Sequence, residues 1–267
     1  EEGKVGNFIL KNLLAGKKRK IFPINPKHQE ILGERCWASV LEIKEKIDVA
    51  LIAVKAEIVP TVLADCGRKN IPFAIIISAG FKEIGEAGKI LEEKIKTIAA
   101  EYNINILGPN CLGIIDATTD LNASFTDGIE KKKKIAFVSQ SGAIGSAILD
   151  WAKDKNVGLS RFVSLGNEAG MTESDFLEYL ADDKETEAVL VYMEGLRDGE
   201  RFLRAARKVT KKKPMVILEA GRTGKGKKAA TSHTGSLATE DNIFRAVCRQ
   251  YGAIMVEDLR GLFNLAK

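Results

Sequence analysis

A histidine set in a glycine- and lysine-rich stretch is the residue of this chain best equipped for chemistry. His233 stands in Thr231-Ser232-His233-Thr234-Gly235, shortly after Gly221-Arg222-Thr223-Gly224-Lys225-Gly226-Lys227-Lys228. The sequence holds only one other histidine, His28. Imidazole changes charge near neutral pH, and its ring nitrogen is a competent nucleophile. Glycines on either side give the backbone freedom to carry it between reaction partners. A surface histidine in a basic loop would have the same neighbours, so the other loops must decide.

Those loops follow apolar runs. Ile135–Val138 leads into Ser139-Gln140-Ser141-Gly142 and then a helical pattern, where backbone amides and serine hydroxyls make an anion site. Ser141 also reads as a plain helix cap worth about 1 kcal/mol. Glu194, in Tyr192-Met193-Glu194-Gly195, is a carboxylate placed to fix an imidazole tautomer, or a solvated loop side chain. In the first half the corresponding junctions are Asn25-Pro26-Lys27, Val54-Lys55-Ala56, Ser78-Ala79-Gly80-Phe81 and Gly108-Pro109-Asn110. Small residues there let a ligand approach the backbone, and Lys27 can pair with a phosphate; tight turns would share this composition. Leu165-Gly166-Asn167 is a further glycine-flanked polar turn.

Two familiar motifs fit less well. Gly221 to Lys227 nearly spells a P-loop, but Lys228 occupies the position that needs Ser or Thr for magnesium. Ser139 to Ala143 resembles a nucleophile elbow without its two flanking glycines, which keeps a serine hydrolase as a minor alternative.

The elements that must position these loops alternate. Apolar runs predict strands at Lys20–Ile24, Asp48–Val54, Phe73–Ser78, Asn105–Leu107, Lys134–Ser139, Leu159–Ser164, Ala188–Met193, Met215–Glu219 and Ala253–Val256. Amphipathic stretches lie between them; in Gly88–Tyr102, the residues Ile90, Leu91, Ile95, Ile98 and Ala99 follow helical spacing. Alternating strand and helix predict an α/β fold of doubly wound parallel sheets. The interval Asp116–Lys134 is poor in strand signals and ends in four lysines, which places a boundary there: one domain over 1–129 and another over 130–267. The chain opens directly into a helix, so the first strand of its first domain is expected to be missing, as in a fragment.

Composition narrows the functions. Charged residues make up 29% and the net charge is +5, while aromatics are few, which favours anionic small molecules over nucleic acid. No apolar run approaches membrane-spanning length, and no signal peptide is evident, which places the protein in the cytoplasm. The four cysteines are scattered, which argues against a zinc site and for a reducing compartment. Glutamine occurs only at positions 29, 140 and 250, a bias found in heat-adapted proteins.

Taken together, the motifs resemble the α subunit, or α-like part, of nucleoside-diphosphate-forming acyl-CoA synthetases, relatives of succinyl-CoA synthetase. The carriers are Phe22-Pro23-Ile24-Asn25-Pro26-Lys27, Ile77-Ser78-Ala79-Gly80-Phe81, Leu107-Gly108-Pro109-Asn110-Cys111-Leu112-Gly113, Val138-Ser139-Gln140-Ser141-Gly142-Ala143, Ser164-Leu165-Gly166-Asn167 and Ser232-His233-Thr234-Gly235. The resemblance implies a Rossmann-like CoA-binding domain followed by a flavodoxin-like domain. It implies a ligase that interconverts acid, CoA and ATP with acyl-CoA, ADP and phosphate through an acyl phosphate and a phosphohistidine. By motif, His233 would be phosphorylated and Glu194 would contact it. Ser139, Gln140, Ser141 and Gly142 would bind the phosphoryl group. Asn25, Lys27, Val54, Ser78, Ala79 and Asn110 would line the coenzyme site, and Gly166 and Asn167 would border the acyl pocket. ATP, ADP and magnesium would belong to an ATP-grasp β subunit or fused β-like region, making the protein a hetero-oligomer in the former case. Lys55 follows Val54 where the family often has proline. A CoA-binding regulatory module, fused to or partnering an acyltransferase, stands as the alternative.

Overall fold

The computed structural model describes residues 3–16, 18–129, 134–155, 157–220 and 241–266. His233 and the rest of 221–240 lie outside the described residues. The chain divides into two compact units: Glu1–Ile115 with Asp120–Gly128 and Asn167–Met171, and Asp116–Thr119 with Ile129–Gly166 and Thr172–Lys267.

The first unit begins with α1 (Val5–Ala15), which buries Ile9 and Leu10. A short antiparallel hairpin, β1 (Glu30–Ile31) and β2 (Glu34–Arg35), follows. Three parallel strands then lie in the order β3 (Val49–Ile52), β4 (Phe73–Ile76) and β5 (Asn105–Leu107). Helices α2 (Val59–Arg68) and α3 (Glu86–Tyr102) connect them. Val59, Leu63, Ile76, Phe81 and Ile95 form the fully buried centre of this unit. The run Lys20–Ile24 is not a strand; only Ile24 makes an isolated bridge, to Trp37. Pro23 within that run has no N–H to give a ladder. The interval read as poor in strands contains β7 (Leu121–Ser124), beside β6 (Gly113–Asp116). Its sequence, Leu-Asn-Ala-Ser, carries no apolar alternation. It is tied to α1 by Asn12 Nδ2, which donates to the carbonyls of Ser124 and Thr126, each at 2.9 Å.

The second unit carries five parallel strands in the order β12-β11-β10-β8-β9. In chain order these are β8 (Ile135–Ser139), β9 (Arg161–Ser164), β10 (Ala188–Met193), β11 (Met215–Glu219) and β12 (Ile254–Val256). Their connectors are α4 (Gly142–Asp154), α5 (Glu173–Asp182), α6 (Gly199–Thr210) and α7 (Asp241–Gln250), with α8 (Leu259–Ala266) at the end. This is the flavodoxin-like order, and the direction of winding reverses between β8 and β10. Every residue of β8 is buried, as expected for a strand covered on both faces. Phe137 and Phe162 pack at a tilt, with ring centroids 5.8 Å apart. Helix α6 buries Phe202, Ala205, Ala206 and Val209, one face at helical spacing, and is capped by Asp198, whose carboxylate accepts from the Arg201 amide at 2.9 Å. Buried Arg161 is held by Asp183 at 2.5 Å and Asp116 at 3.6 Å, so its charge is paired. Both units are thus α/β with parallel sheets. Among the described residues no helix is long and apolar enough to cross a membrane.

Candidate functional site

In the second unit the chemistry gathers where the sheet reverses. β8 and β10 stay paired as far as Ser139 and Tyr192, and beyond them the chain leaves toward helices on opposite faces. Ser141 takes an extended backbone (φ −98°, ψ 122°) and caps α4, its hydroxyl 3.5 Å from the Ile144 amide. Ser139 is fully buried and donates from Oγ to the Ser141 carbonyl at 2.8 Å. The first-turn amides of a helix have no intrahelical partner, and those of α4 begin at this place.

Gln140 joins the chain after β8 to the chain after β10. Its Oε1 accepts from the Glu194 amide at 2.5 Å and the Gly195 amide at 3.1 Å. Its Nε2 donates to the Gly195 carbonyl at 2.9 Å and to Glu173 Oε2 at 3.4 Å. Its own amide donates to the Tyr192 carbonyl at 3.1 Å. The structure therefore brings Ser139, Gln140, Ser141 and Gly142 beside Glu194. The Glu194 carboxylate also lies close enough to Tyr192 to matter electrostatically: the Tyr192 hydroxyl is pushed up to about 12, first by burial and then by that negative charge. Glu173, 2% exposed, begins α5, where the helix N-terminus favours a carboxylate. Gly166, with φ 63°, opens the turn after β9.

In the first unit three of the residues expected at the coenzyme site meet at the carboxyl ends of β3, β4 and β5. Ser78 Oγ donates to the Val54 carbonyl at 2.5 Å and accepts from the Val54 amide at 3.1 Å. The Asn110 amide donates to the Ser78 carbonyl at 2.9 Å. Asn110 sits at φ 59°, a left-handed conformation that asparagine tolerates better than most residues. Val54 and Ala79 are exposed at this rim. Asn25 and Lys27 stand together on another turn, where Asn25 Oδ1 accepts from the Lys27 amide at 2.9 Å. That turn folds through its own bonds and through Trp37, whose carbonyl accepts from the Asn25 amide at 2.8 Å.

Asn167 belongs to this first unit. The segment Asn167–Met171 runs along residues 106–109, donating from Asn167, Ala169 and Met171 to the carbonyls of Pro109, Gly108 and Ile106, each at 2.8 Å. The Asn167 Nδ2 then divides its two hydrogens between Glu83 Oε2 at 2.6 Å and Glu92 Oε2 at 2.9 Å. Its Oδ1 lies 3.3 Å from Asn110 Nδ2, and its carbonyl accepts from Lys82 Nζ at 2.5 Å. Burial raises the Glu83 carboxyl, but bonds from Asn167, Gly80 and Phe81 prevail and hold it below its usual value. Gly88 lets α3 reach this cluster: a Cβ there would lie 1.8 Å from the Phe81 carbonyl oxygen.

Glu83, Glu92, Lys82 and Glu173 escaped the sequence reading. One signal was present. The buried stripe of α3 is Gly88, Glu92, Ile95 and Ala99, so a carboxylate occupies an apolar position. Ile90, assigned to that stripe by spacing, is 67% exposed.

A family model described as a succinyl-CoA ligase-like flavodoxin domain matches residues 132–267, and one for a CoA-binding domain matches residues 1–117. The ADP-forming acetate–CoA ligase I of Archaeoglobus fulgidus is 48% identical over all of this chain, which spans 39% of that protein's length. The ADP-forming acetate–CoA ligase I subunit alpha of Pyrococcus furiosus is 43% identical over 99% of this chain and 58% of its own. Among solved structures, the dinucleotide-forming acetyl-coenzyme A synthetase 1 of Candidatus Korarchaeum cryptofilum, in complex with phosphate and ADP, superposes with a TM-score of 0.95 at 37% identity, covering 100% of this chain and 57% of that one. The chain thus spans roughly two to three fifths of the length of these relatives. A CoA-binding unit followed by a flavodoxin-like unit with an anion-ready helix at its winding reversal, matched along the whole chain, identifies this protein as a member of the succinyl-CoA ligase family and an α-like part of its ADP-forming acyl-CoA synthetase branch.

Proposed function

We propose that the protein carrying this chain interconverts a small carboxylic acid, CoA and ATP with acyl-CoA, ADP and phosphate, and that this chain supplies the CoA site and the phosphohistidine. The observation that supports this best is the joining of the α4 N-terminus to the Glu194 loop through Gln140. A phosphoryl group of charge near −2 is met there by first-turn amides, with Ser139, Ser141 and Gly142 around it. CoA lies across Val54, Ser78, Ala79 and Asn110, whose small or exposed faces leave room for its backbone, while Asn25 and Lys27 hold a phosphate end. Gly166 and Asn167 border the acyl group.

The chemistry runs in two transfers. In the direction of acyl-CoA use, inorganic phosphate attacks the thioester, the thiolate of CoA leaves with a proton, and an acyl phosphate forms. The His233 ring nitrogen then attacks the phosphorus, the P–O bond to the acyl group breaks, and the carboxylate departs. Glu194 accepts a hydrogen bond from the other ring nitrogen and stabilises the positive charge of the phosphorylated imidazole. ADP, held with magnesium on an ATP-grasp partner region, fused or separate, takes the phosphoryl group from the histidine.

Intact-mass measurement after incubation of the full-length protein with acyl-CoA and phosphate tests the reading. An acid-labile phosphoryl adduct, lost in His233→Ala, is expected; its absence with intact CoA binding would favour the regulatory CoA module. The hydrolase reading has less support, since the Ser141 hydroxyl faces the first turn of α4 as a cap and its backbone lacks an elbow's strain. We place the protein in the cytoplasm.

A further inference from the structure

We infer that Gln140 acts as a positioning residue, fixing the backbone of Glu194 and Gly195 at the mouth of α4 through its side-chain amide, with Glu173 holding that amide in orientation. The inference rests on the phosphoryl-transfer reading proposed above and deepens it.

Three observations carry it. First, the Gln140 side chain is 9% exposed and both ends of its amide are bonded inside the protein. An oxygen that accepts from Glu194 and Gly195, and a nitrogen that donates to Gly195 and Glu173, leave little capacity for a ligand. Second, Glu194 and Gly195 lie 54 and 55 residues away, just past the end of β10 at the other side of the winding reversal. The backbone pairs the two strand ends as far as Tyr192 and the Gln140 amide, and beyond them the Gln140 side chain carries the tie. Third, Glu173 is 2% exposed and also bonded by Ser174 at 3.2 Å, so the carboxylate that orients the amide is itself fixed. A carboxylate on one side and two amides on the other specify which way the amide of Gln140 faces. The consequence is that Glu194 begins from a backbone held to the helix that receives the phosphoryl group.

A double-mutant cycle in the full-length protein tests this, reading the rate of His233 phosphorylation in single turnovers alongside CoA affinity. Gln140→Ala is expected to slow phosphorylation about 10- to 100-fold, the scale of an ångström-level misplacement, while CoA affinity stays within about twofold. In the Glu194→Ala background the same change is expected to cost less than about threefold, since the group it positions is gone. Hydrogen exchange at the amides of residues 194 and 195 is expected to rise in Gln140→Ala. Gln140→Glu, which sets a second carboxylate against Glu173, is expected to be as slow, and adding Glu173→Gln to regain part of the rate by restoring a donor–acceptor pair. Equal costs of Gln140→Ala with and without Glu194 would overturn the inference while leaving the phosphohistidine reading intact. A wild-type protein that binds CoA and never phosphorylates His233 would overturn both.

Discussion

Ser78 grips Val54 twice, donating to its carbonyl at 2.5 Å and accepting from its amide at 3.1 Å. One hydroxyl thereby fixes the end of β3 to the end of β4, at the rim proposed to carry CoA. Ser78→Ala leaves both Val54 groups without that partner. Each net bond is worth about 0.5–1.5 kcal/mol, so CoA affinity is expected to fall about 3- to 10-fold, read by calorimetry, with a stability loss of about 1–2 kcal/mol in urea unfolding.

Asn167 lies between two carboxylates, Glu83 at 2.6 Å and Glu92 at 2.9 Å. Asn167→Asp replaces the shared donor with a third acid. Burial and like charge raise the pKa of the introduced carboxyl above its unfolded value of about 3.9. A raised folded pKa means that stability is retained below about pH 4 and lost as pH rises through the folded value. Urea midpoints at pH 5 and pH 8 are therefore expected to diverge strongly in this variant and little in the parent.

Cys111 is fully buried, and burial pushes its thiol up to about 12 from an ordinary value of 9.0. The sign is the same: stability is whole below pH 9 and falls between there and about pH 12, because the unfolded thiol ionises first. Cys66 and Cys248 are raised likewise, to about 12 each, chiefly by burial. Cys111→Ala is expected to flatten the alkaline fall in stability by up to about 1.4 kcal/mol per pH unit, measured as unfolding free energy at pH 8.5, 9.5 and 10.5.

Tyr192 reports on its neighbour. Glu194 raises the Tyr192 hydroxyl in addition to burial. Glu194→Gln removes the negative charge, so the phenolate becomes less costly and the Tyr192 pKa is expected to fall. Burial remains, and the value is expected to stay above the ordinary 10.0. Ultraviolet titration of Tyr192, with Tyr192→Phe as the subtraction, reads the shift; an unchanged value would place the carboxylate elsewhere.

Much of the fold was legible in the sequence because the sheet of the second unit is covered on two faces. Ile135–Val138, Ala188–Met193 and Met215–Leu218 are nearly uninterrupted apolar runs, and each is a strand. Leu121–Ser124 escaped because Leu-Asn-Ala-Ser has no apolar alternation, and its strand comes from pairing beside β6. Lys20–Ile24 has the apolar content of a strand, but Pro23 has no amide to give a ladder, and only Ile24 forms a bridge. The loops expected at the phosphate site were readable for the same reason as the strands: in a parallel sheet they follow strand ends.

Residue order by itself determined the α/β class, the strand-end loops and the residue types able to meet a phosphate or a coenzyme. Those follow from local periodicity and turn chemistry, which a linear sequence carries. Only the tertiary structure decided that Gln140 would bond across the winding reversal to Glu194, and that Asn167 would sit between Glu83 and Glu92 in the first unit. Such pairs depend on hydrogen-bond geometry between groups 54 to 84 residues apart. That geometry exists only once strand order and helix packing have brought the chain back upon itself.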